Sequence, residues 1–253
     1  MTYRMRPPRD IVSGRGCIGE IGKIVSSFSP KSMAFLVDGS VHRSGGSDNL
    51  LEMLRAQGTS VHVVPDVPVE PEVGQVRELF TRMSGLGVDL IVAMGGGSVL
   101  DSAKMTSVLL RNPGYLDNLL DASLIKERGV PLIAIPTSAG TGSEATPNSI
   151  VVVPEQQLKV GVVHPFFIPD CVLLDPEATV SLPANITATT GLDAFCHAIE
   201  CFISKKRNPF SDLYAIEAIR LINRSLLRAF QDGGDLEARE DLLLAAFYGG
   251  MCI

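Results

Sequence analysis

Asp89-Leu90-Ile91-Val92-Ala93-Met94-Gly95-Gly96-Gly97-Ser98 is a short apolar run that ends in three glycines and a serine. Its length and its wealth of Ile, Val, Leu and Ala predict a buried strand over Asp89–Met94. Apolar residues then recur at three- and four-residue spacing through Val99–Leu110, so a helix opens directly behind the glycines. Three glycines let the backbone come close to an anion, and such a helix points free amides and the positive end of its dipole at the same place. A diphosphate suits that spot. The same residues also read as a tight strand-to-helix turn in which Ser98 caps the helix. The segment has neither the G-x-G-x-x-G spacing nor a Walker loop, because Lys104 stands too late. Asp101, one turn in, is placed either to hold the loop through its amides or to bind a sugar hydroxyl.

Outward from this stretch, strand-like runs recur at Met33–Val37, Ser60–Val64 and Pro131–Ile135, separated by amphipathic stretches at Ser47–Gln57, Glu72–Ser84 and Ser98–Arg111. The alternation predicts an α/β N-terminal domain with a mostly parallel sheet, spanning residues 1–183. Beyond Leu182 only helical patterns follow, over Thr189–Ser204, Phe210–Phe230 and Glu237–Met251, so an all-α domain is expected from residue 184 to 253. Pro183 and the Thr-rich turn Thr187–Gly191 mark the expected boundary.

The chain has 28 acidic and 22 basic residues among 253, and no cluster of Lys or Arg long enough to neutralise a phosphate backbone, so no nucleic-acid partner is expected. No stretch is long and apolar enough to span a bilayer, and the basic start, Met1 to Arg9, lacks an apolar signal core; a cytoplasmic protein without a membrane partner is expected. The five cysteines are scattered and never spaced as C-x-x-C, which predicts reduced thiols rather than a disulfide framework.

A second loop of small residues, Pro136-Thr137-Ser138-Ala139-Gly140-Thr141-Gly142-Ser143-Glu144, follows the strand at Pro131–Ile135. In a parallel sheet both loops open onto the carboxyl edge, where a dinucleotide fits. Asp38, at the end of the strand Met33–Val37, is placed to accept hydrogen bonds from an adenosine ribose, and its charge would repel a 2′-phosphate, which favours NAD over NADP. Asp38 also reads as the start of the turn Asp38-Gly39-Ser40. Farther along, Asp193 and His197 lie four apart on one helix face. Carboxylate and imidazole suit Fe(II) or Zn(II), but a catalytic metal needs at least three ligands, and the pair also reads as an ordinary Asp–His contact on a helix.

Together these residues resemble the iron-containing, or group III, alcohol dehydrogenases of the dehydroquinate synthase-like fold. Gly95-Gly96-Gly97-Ser98 with Asp101 and Lys104 is similar to the family's GGGSxxDxxK signature, and Pro136–Glu144 to its PTxxGTGSE loop. Asp175-Pro176, Leu182-Pro183 and Thr190–Ala194 with His197-Ala198-Ile199-Glu200 continue the likeness in order. The resemblance implies metal-dependent, NAD(P)-linked hydride transfer between nicotinamide and a small alcohol or aldehyde. Position by position it assigns Asp38 to the ribose, Gly95, Gly96, Gly97 and Ser98 to the diphosphate, and Thr137, Ser138 and Thr141 to the adenine and ribose side. Thr146, Asn148 and Lys159 would line the nicotinamide end. Asp193 and His197 would be the first two of four metal ligands, with no dedicated acid or base beyond them. The family's two later histidines have no counterpart, since His42, His62 and His164 all precede the metal helix. A C-terminally truncated enzyme is therefore expected, homodimeric or larger when whole, with apolar helix faces such as Leu242–Phe247 left uncovered. A dehydroquinate synthase or glycerol-phosphate dehydrogenase relative, and a non-catalytic dinucleotide-binding fragment, stand as alternative functions.

Overall fold

The structure is a computed structural model and describes residues 2–253. Six strands form one parallel sheet in the order β1-β8-β5-β4-β2-β3, with β1 Asp10–Ser13, β2 Ser32–Val37, β3 Ser60–Val64, β4 Leu90–Gly95, β5 Leu132–Pro136 and β8 Cys171–Leu174. A separate antiparallel hairpin joins β6 Asn148–Val153 to β7 Leu158–Val163, and Gln157 at its turn takes a left-handed φ of 52°.

Every residue of β4 is buried, as is every residue of β2 after Ser32, because the sheet is covered on both faces. Alternate residues point to opposite sides. Ala34, Leu36, Ile91, Ala93, Leu132 and Ala134 enter one core with Met83 and Leu100, whereas Met33, Phe35, Val37, Leu90, Val92 and Met94 enter the other with Ile21, Val25, Leu50 and Leu54. Helices α1 Ile21–Phe28 and α3 Asp48–Arg55 supply the second core, while α4 Val73–Ser84 and α5 Gly97–Leu109 supply the first. A short helix, α2 Gly39–Arg43, follows β2.

From β2 the chain moves outward to β3, then returns across β2 to form β4 on its other flank, and continues to β5. The strand order thus reverses between β2 and β4, and their carboxyl ends frame a switch point of the kind where ligands settle in open α/β sheets.

Three long helices complete the molecule: α6 Ala184–Ile203, α7 Pro209–Gln231 and α8 Leu236–Cys252. Asn208 accepts from the amides of Phe210 and Ser211, which starts α7 beside Pro209. The Arg224–Asp241 pair and Arg228 with Asp235 and Glu237 tie α7 to α8. Buried Arg239 binds Thr187 Oγ1 at 2.7 Å and the carbonyls of Leu182 and Gly233 at 3.2 and 3.0 Å, joining α8 to the start of α6.

Three expectations need correction. Thr187–Gly191 is helix rather than a turn, because the hydroxyls of Thr189 and Thr190 bond back to the Ile186 carbonyl and the helix already begins at Ala184. Leu242, Leu243, Ala245, Ala246 and Phe247 are buried rather than uncovered, since α8 packs its apolar side into the sheet's first core; Leu213, Ile216 and Leu227 of α7 are among the apolar residues left exposed, as are Leu192 and Ile203 of α6. Strands β1 and β8 and the β6–β7 hairpin add to the four anticipated strands. The four-residue strands β1 and β8 are too short to show a period, and the hairpin strands, six residues each, lie outside the main sheet.

Candidate functional site

Three loops meet at the carboxyl edge of the sheet. The Asp38 amide donates to the Met94 carbonyl at 2.9 Å and the Thr137 amide to the Gly95 carbonyl at 3.0 Å, so the exits of β2, β4 and β5 are bonded side by side. Helix α5 begins at Gly97 behind Gly96, with no side chain capping it. The Val99 and Leu100 amides donate to the Gly96 carbonyl at 3.1 Å, so the amides of Gly97 and Ser98 are the ones placed to meet an anion. Ser98, within the first turn, is not the cap that its type suggested. Its Oγ instead accepts from the Glu70 amide at 3.0 Å, which pins the 65–71 segment beside the glycine loop.

The glycines also serve internal packing. A Cβ on Gly97 would lie 2.8 Å from Thr141 Cγ2, and one on Gly96 would lie 3.2 Å from Ser138 Oγ. Smallness at 96 and 97 is therefore what lets the second loop close over the first. That second loop is in turn clamped to the helices. Gly142, at φ +60°, would place a Cβ 2.4 Å from the Ala246 carbonyl of α8, and Gly140 would place one 2.8 Å from Thr190 of α6.

Asp38 is half-buried and caps α2. Its Oδ1 accepts from the amides of Ser40 and Val41 at 2.8 and 3.2 Å and from the Ser40 hydroxyl, leaving Oδ2 for another donor. Burial opposes its charge, but these donors together with Arg43 hold the carboxyl below the usual range.

Behind the glycine loop lies a buried polar cluster. Asp101 accepts from Ser143 Oγ at 2.6 Å on one oxygen and from the Ile150 amide at 3.1 Å on the other, so of its two anticipated tasks the side chain performs the holding of loops. Fully buried Lys104 donates to Thr146 Oγ1 at 3.1 Å and to the Asn148 carbonyl at 2.7 Å, with Asp101 Oδ1 3.7 Å away. Desolvation lowers its ammonium to about 8, against the pull of Asp101 and Glu144. Glu144 is buried with Oε1 unpartnered, and desolvation pushes its carboxyl up to about 7. Thr137 is buried, Ser138 partly so, and Thr141 exposed at the rim. Asn148 opens β6, and Lys159, opposite Val152 in the hairpin, pairs with Glu70. Sequence reasoning passed over Glu70, whose left-handed φ of 55° is rare outside glycine and carries no signature in a Pro-rich segment.

On α6, His197 Nε2 lies 3.8 Å from Asp193 Oδ1, while the buried Nδ1 has no partner. A Cβ added to Gly249 of α8 would lie 3.8 Å from the His197 Cβ, so His197 sits where two helices come close. Among the described residues no group of three or more His, Cys, Asp or Glu gathers around a common point. A carboxylate and an imidazole in contact fit half of a divalent-cation site and not a whole one. Thr190, one turn before Asp193, lies against the second loop at Gly140, which sets the pair beside the carboxyl edge of the sheet.

A glycine loop at the switch point of a parallel sheet thus stands beside a helix that carries a neighbouring Asp and His. Residues 8–176 match the iron-containing alcohol dehydrogenase family, and residues 187–253 match the C-terminal part of the Fe-containing alcohol dehydrogenase family. The chain belongs to the iron-containing alcohol dehydrogenases. It is 38% identical over 251 residues to long-chain-alcohol dehydrogenase 1 of Geobacillus thermodenitrificans, covering 97% of this chain and 62% of that protein. It is 33% identical to the NAD-dependent methanol dehydrogenase of Bacillus methanolicus, covering 99% of this chain and 66% of that protein. The crystal structure of a 1,3-propanediol oxidoreductase superposes with a TM-score of 0.94 at 30% identity, covering all of this chain and 66% of the other. The chain thus spans 62–66% of the length of these relatives.

Proposed function

We propose that the chain binds NAD across the carboxyl ends of β2, β4 and β5, and that the whole protein is a metal-dependent alcohol dehydrogenase or aldehyde reductase. Hydride would pass between nicotinamide and a small alcohol or aldehyde. The observation that carries this reading is the convergence of Asp38, Gly95–Ser98 and Thr137–Thr141 on one edge, with the uncapped start of α5 between them. In it, the amides of Gly96, Gly97 and Ser98 receive the diphosphate, and Oδ2 of Asp38 accepts from the adenosine ribose. Thr137, Ser138 and Thr141 flank the adenine side. Thr146, Asn148 and Lys159 lie toward the nicotinamide, with Asp101 holding that end through Ser143 and Ile150. NAD is favoured over NADP because Asp38 is held ionised and would repel a 2′-phosphate.

Asp193 and His197 would supply two donors to Fe(II) or Zn(II), a cation that polarises the substrate oxygen when bound. The unpartnered, buried Nδ1 of His197 favours a ring already fixed by packing rather than by a hydrogen bond. With two donors gathered, a dinucleotide-binding module without turnover of its own is the reading favoured for this chain taken alone. Exposed Leu213, Ile216 and Leu227 of α7 support a homodimer or larger assembly of the whole protein.

The test is a fluorescence titration with NADH and with NADPH. Saturable NADH binding, with NADPH weaker by about tenfold or more, is expected from one repulsive charge pair. Equal affinities would remove Asp38 from its role, and binding of neither nucleotide would overturn the cofactor reading.

A further inference from the structure

We propose that Lys104 is the positioning residue for the nicotinamide end of the cofactor site, through the two bonds it makes to Thr146 and Asn148. The inference rests on the cofactor reading above. A lysine with no exposed surface is costly, and an apolar residue of similar size would pack there without removing a charge from water. What the ammonium supplies is geometry. From the third turn of α5 it reaches Thr146 Oγ1 at 3.1 Å and the Asn148 carbonyl at 2.7 Å, two groups at the point where the second loop becomes strand β6.

The bonds couple two elements that meet different parts of the ligand. Helix α5 carries the diphosphate loop at its start, and the segment 146–148 faces the far end. Without Lys104 the Thr146 hydroxyl keeps only weak contacts at 3.4 Å, to the carbonyls of Ser143 and Asn148 and from the Asn148 amide. Asp101 would still hold Ser143 and Ile150, so the lost restraint is confined to the Thr146–Asn148 step. The diphosphate and adenine side, built by Gly95–Ser98, Asp38 and Thr137–Thr141, makes no bond to Lys104.

Lys104→Met and Thr146→Val each break the link, the second without touching a buried charge. Affinities for NADH and for ADP-ribose, which lacks the nicotinamide, are measured for both variants. The expected result is NADH binding weakened at least about tenfold, the loss of one charge-assisted hydrogen bond, with ADP-ribose binding changed by less than about twofold. Equal losses for both ligands, or no loss for NADH, in Lys104→Met would overturn the inference, and because Thr146 itself lines the nicotinamide end, Lys104→Gln replaces Lys104→Met as the deciding variant if the latter does not fold. If the wild-type protein binds neither ligand, the cofactor reading falls and this inference falls with it.

Discussion

Gly142→Ala puts the docking of the second loop against α8 to a direct test. Gly142 has φ +60°, and a Cβ there would lie 2.4 Å from the Ala246 carbonyl, 2.7 Å from the Gly250 amide and 2.8 Å from the Gly250 Cα. All three are backbone atoms of a helix, so no side chain can swing aside. Left-handed backbone costs an alanine about 1–2 kcal/mol. The overlap adds an overpacking cost of about 1–3 kcal/mol, because relief requires prying the loop from the helix. A total near ~3 kcal/mol corresponds to a fall in melting temperature of roughly 6–12 °C for a protein of this size. Gly114→Ala is the control: it is exposed, its φ is ordinary and an added Cβ meets nothing within 4 Å, so a change below about 0.5 kcal/mol is expected. Thermal melts followed by circular dichroism, repeated with NADH, read both effects. A Gly142→Ala melting temperature within about 2 °C of wild type would refute the packing argument.

Two further outcomes follow from the buried groups. Glu144 titrates near 7 in the folded protein against 4.5 when free, raised by desolvation, so the folded state holds the extra proton and its share of stability, present at low pH, is lost as pH rises from 4.5 through about 7. The wild-type unfolding free energy measured against Glu144→Gln is expected to decline by up to ~1.4 kcal/mol per pH unit across that window, and a difference independent of pH would contradict it. The Asp193–His197 pair is expected to bind zinc with a dissociation constant from roughly 1 to 100 µM, about half the free energy of a four-donor site, and to lose it in Asp193→Ala; nanomolar binding by calorimetry would show a fuller site.

Much of the fold was legible because buried parallel strands write themselves as apolar runs, and β2, β4 and β5 carry that signature, while the edge strand Ser60–Val64, with only Val64 buried, shows it through its valines. The motif residues Gly95–Ser98 and Thr137–Glu144 also lie where a strand-then-loop reading puts them, at neighbouring strand ends. What was illegible depends on long-range partners. Nothing local tells whether Ser98 caps its own helix or accepts from Glu70, and here the distant amide prevails. The threonines before Asp193 look like turn residues, yet on the first turns of α6 their hydroxyls satisfy the helix's own carbonyls. Lys104 reads as the end of a motif, and only packing reveals that its ammonium is sealed against Thr146 and Asn148.

The central claim is that a dinucleotide lies across the switch point between β2 and β4. A crystal structure of the protein grown with NAD tests it most directly. The account predicts the diphosphate oxygens within hydrogen-bond reach of the Gly96, Gly97 and Ser98 amides, the adenosine ribose on Asp38 Oδ2, and the nicotinamide beside Thr146 and Asn148. A dinucleotide bound elsewhere on the protein, or that edge left empty at saturating NAD, would contradict it.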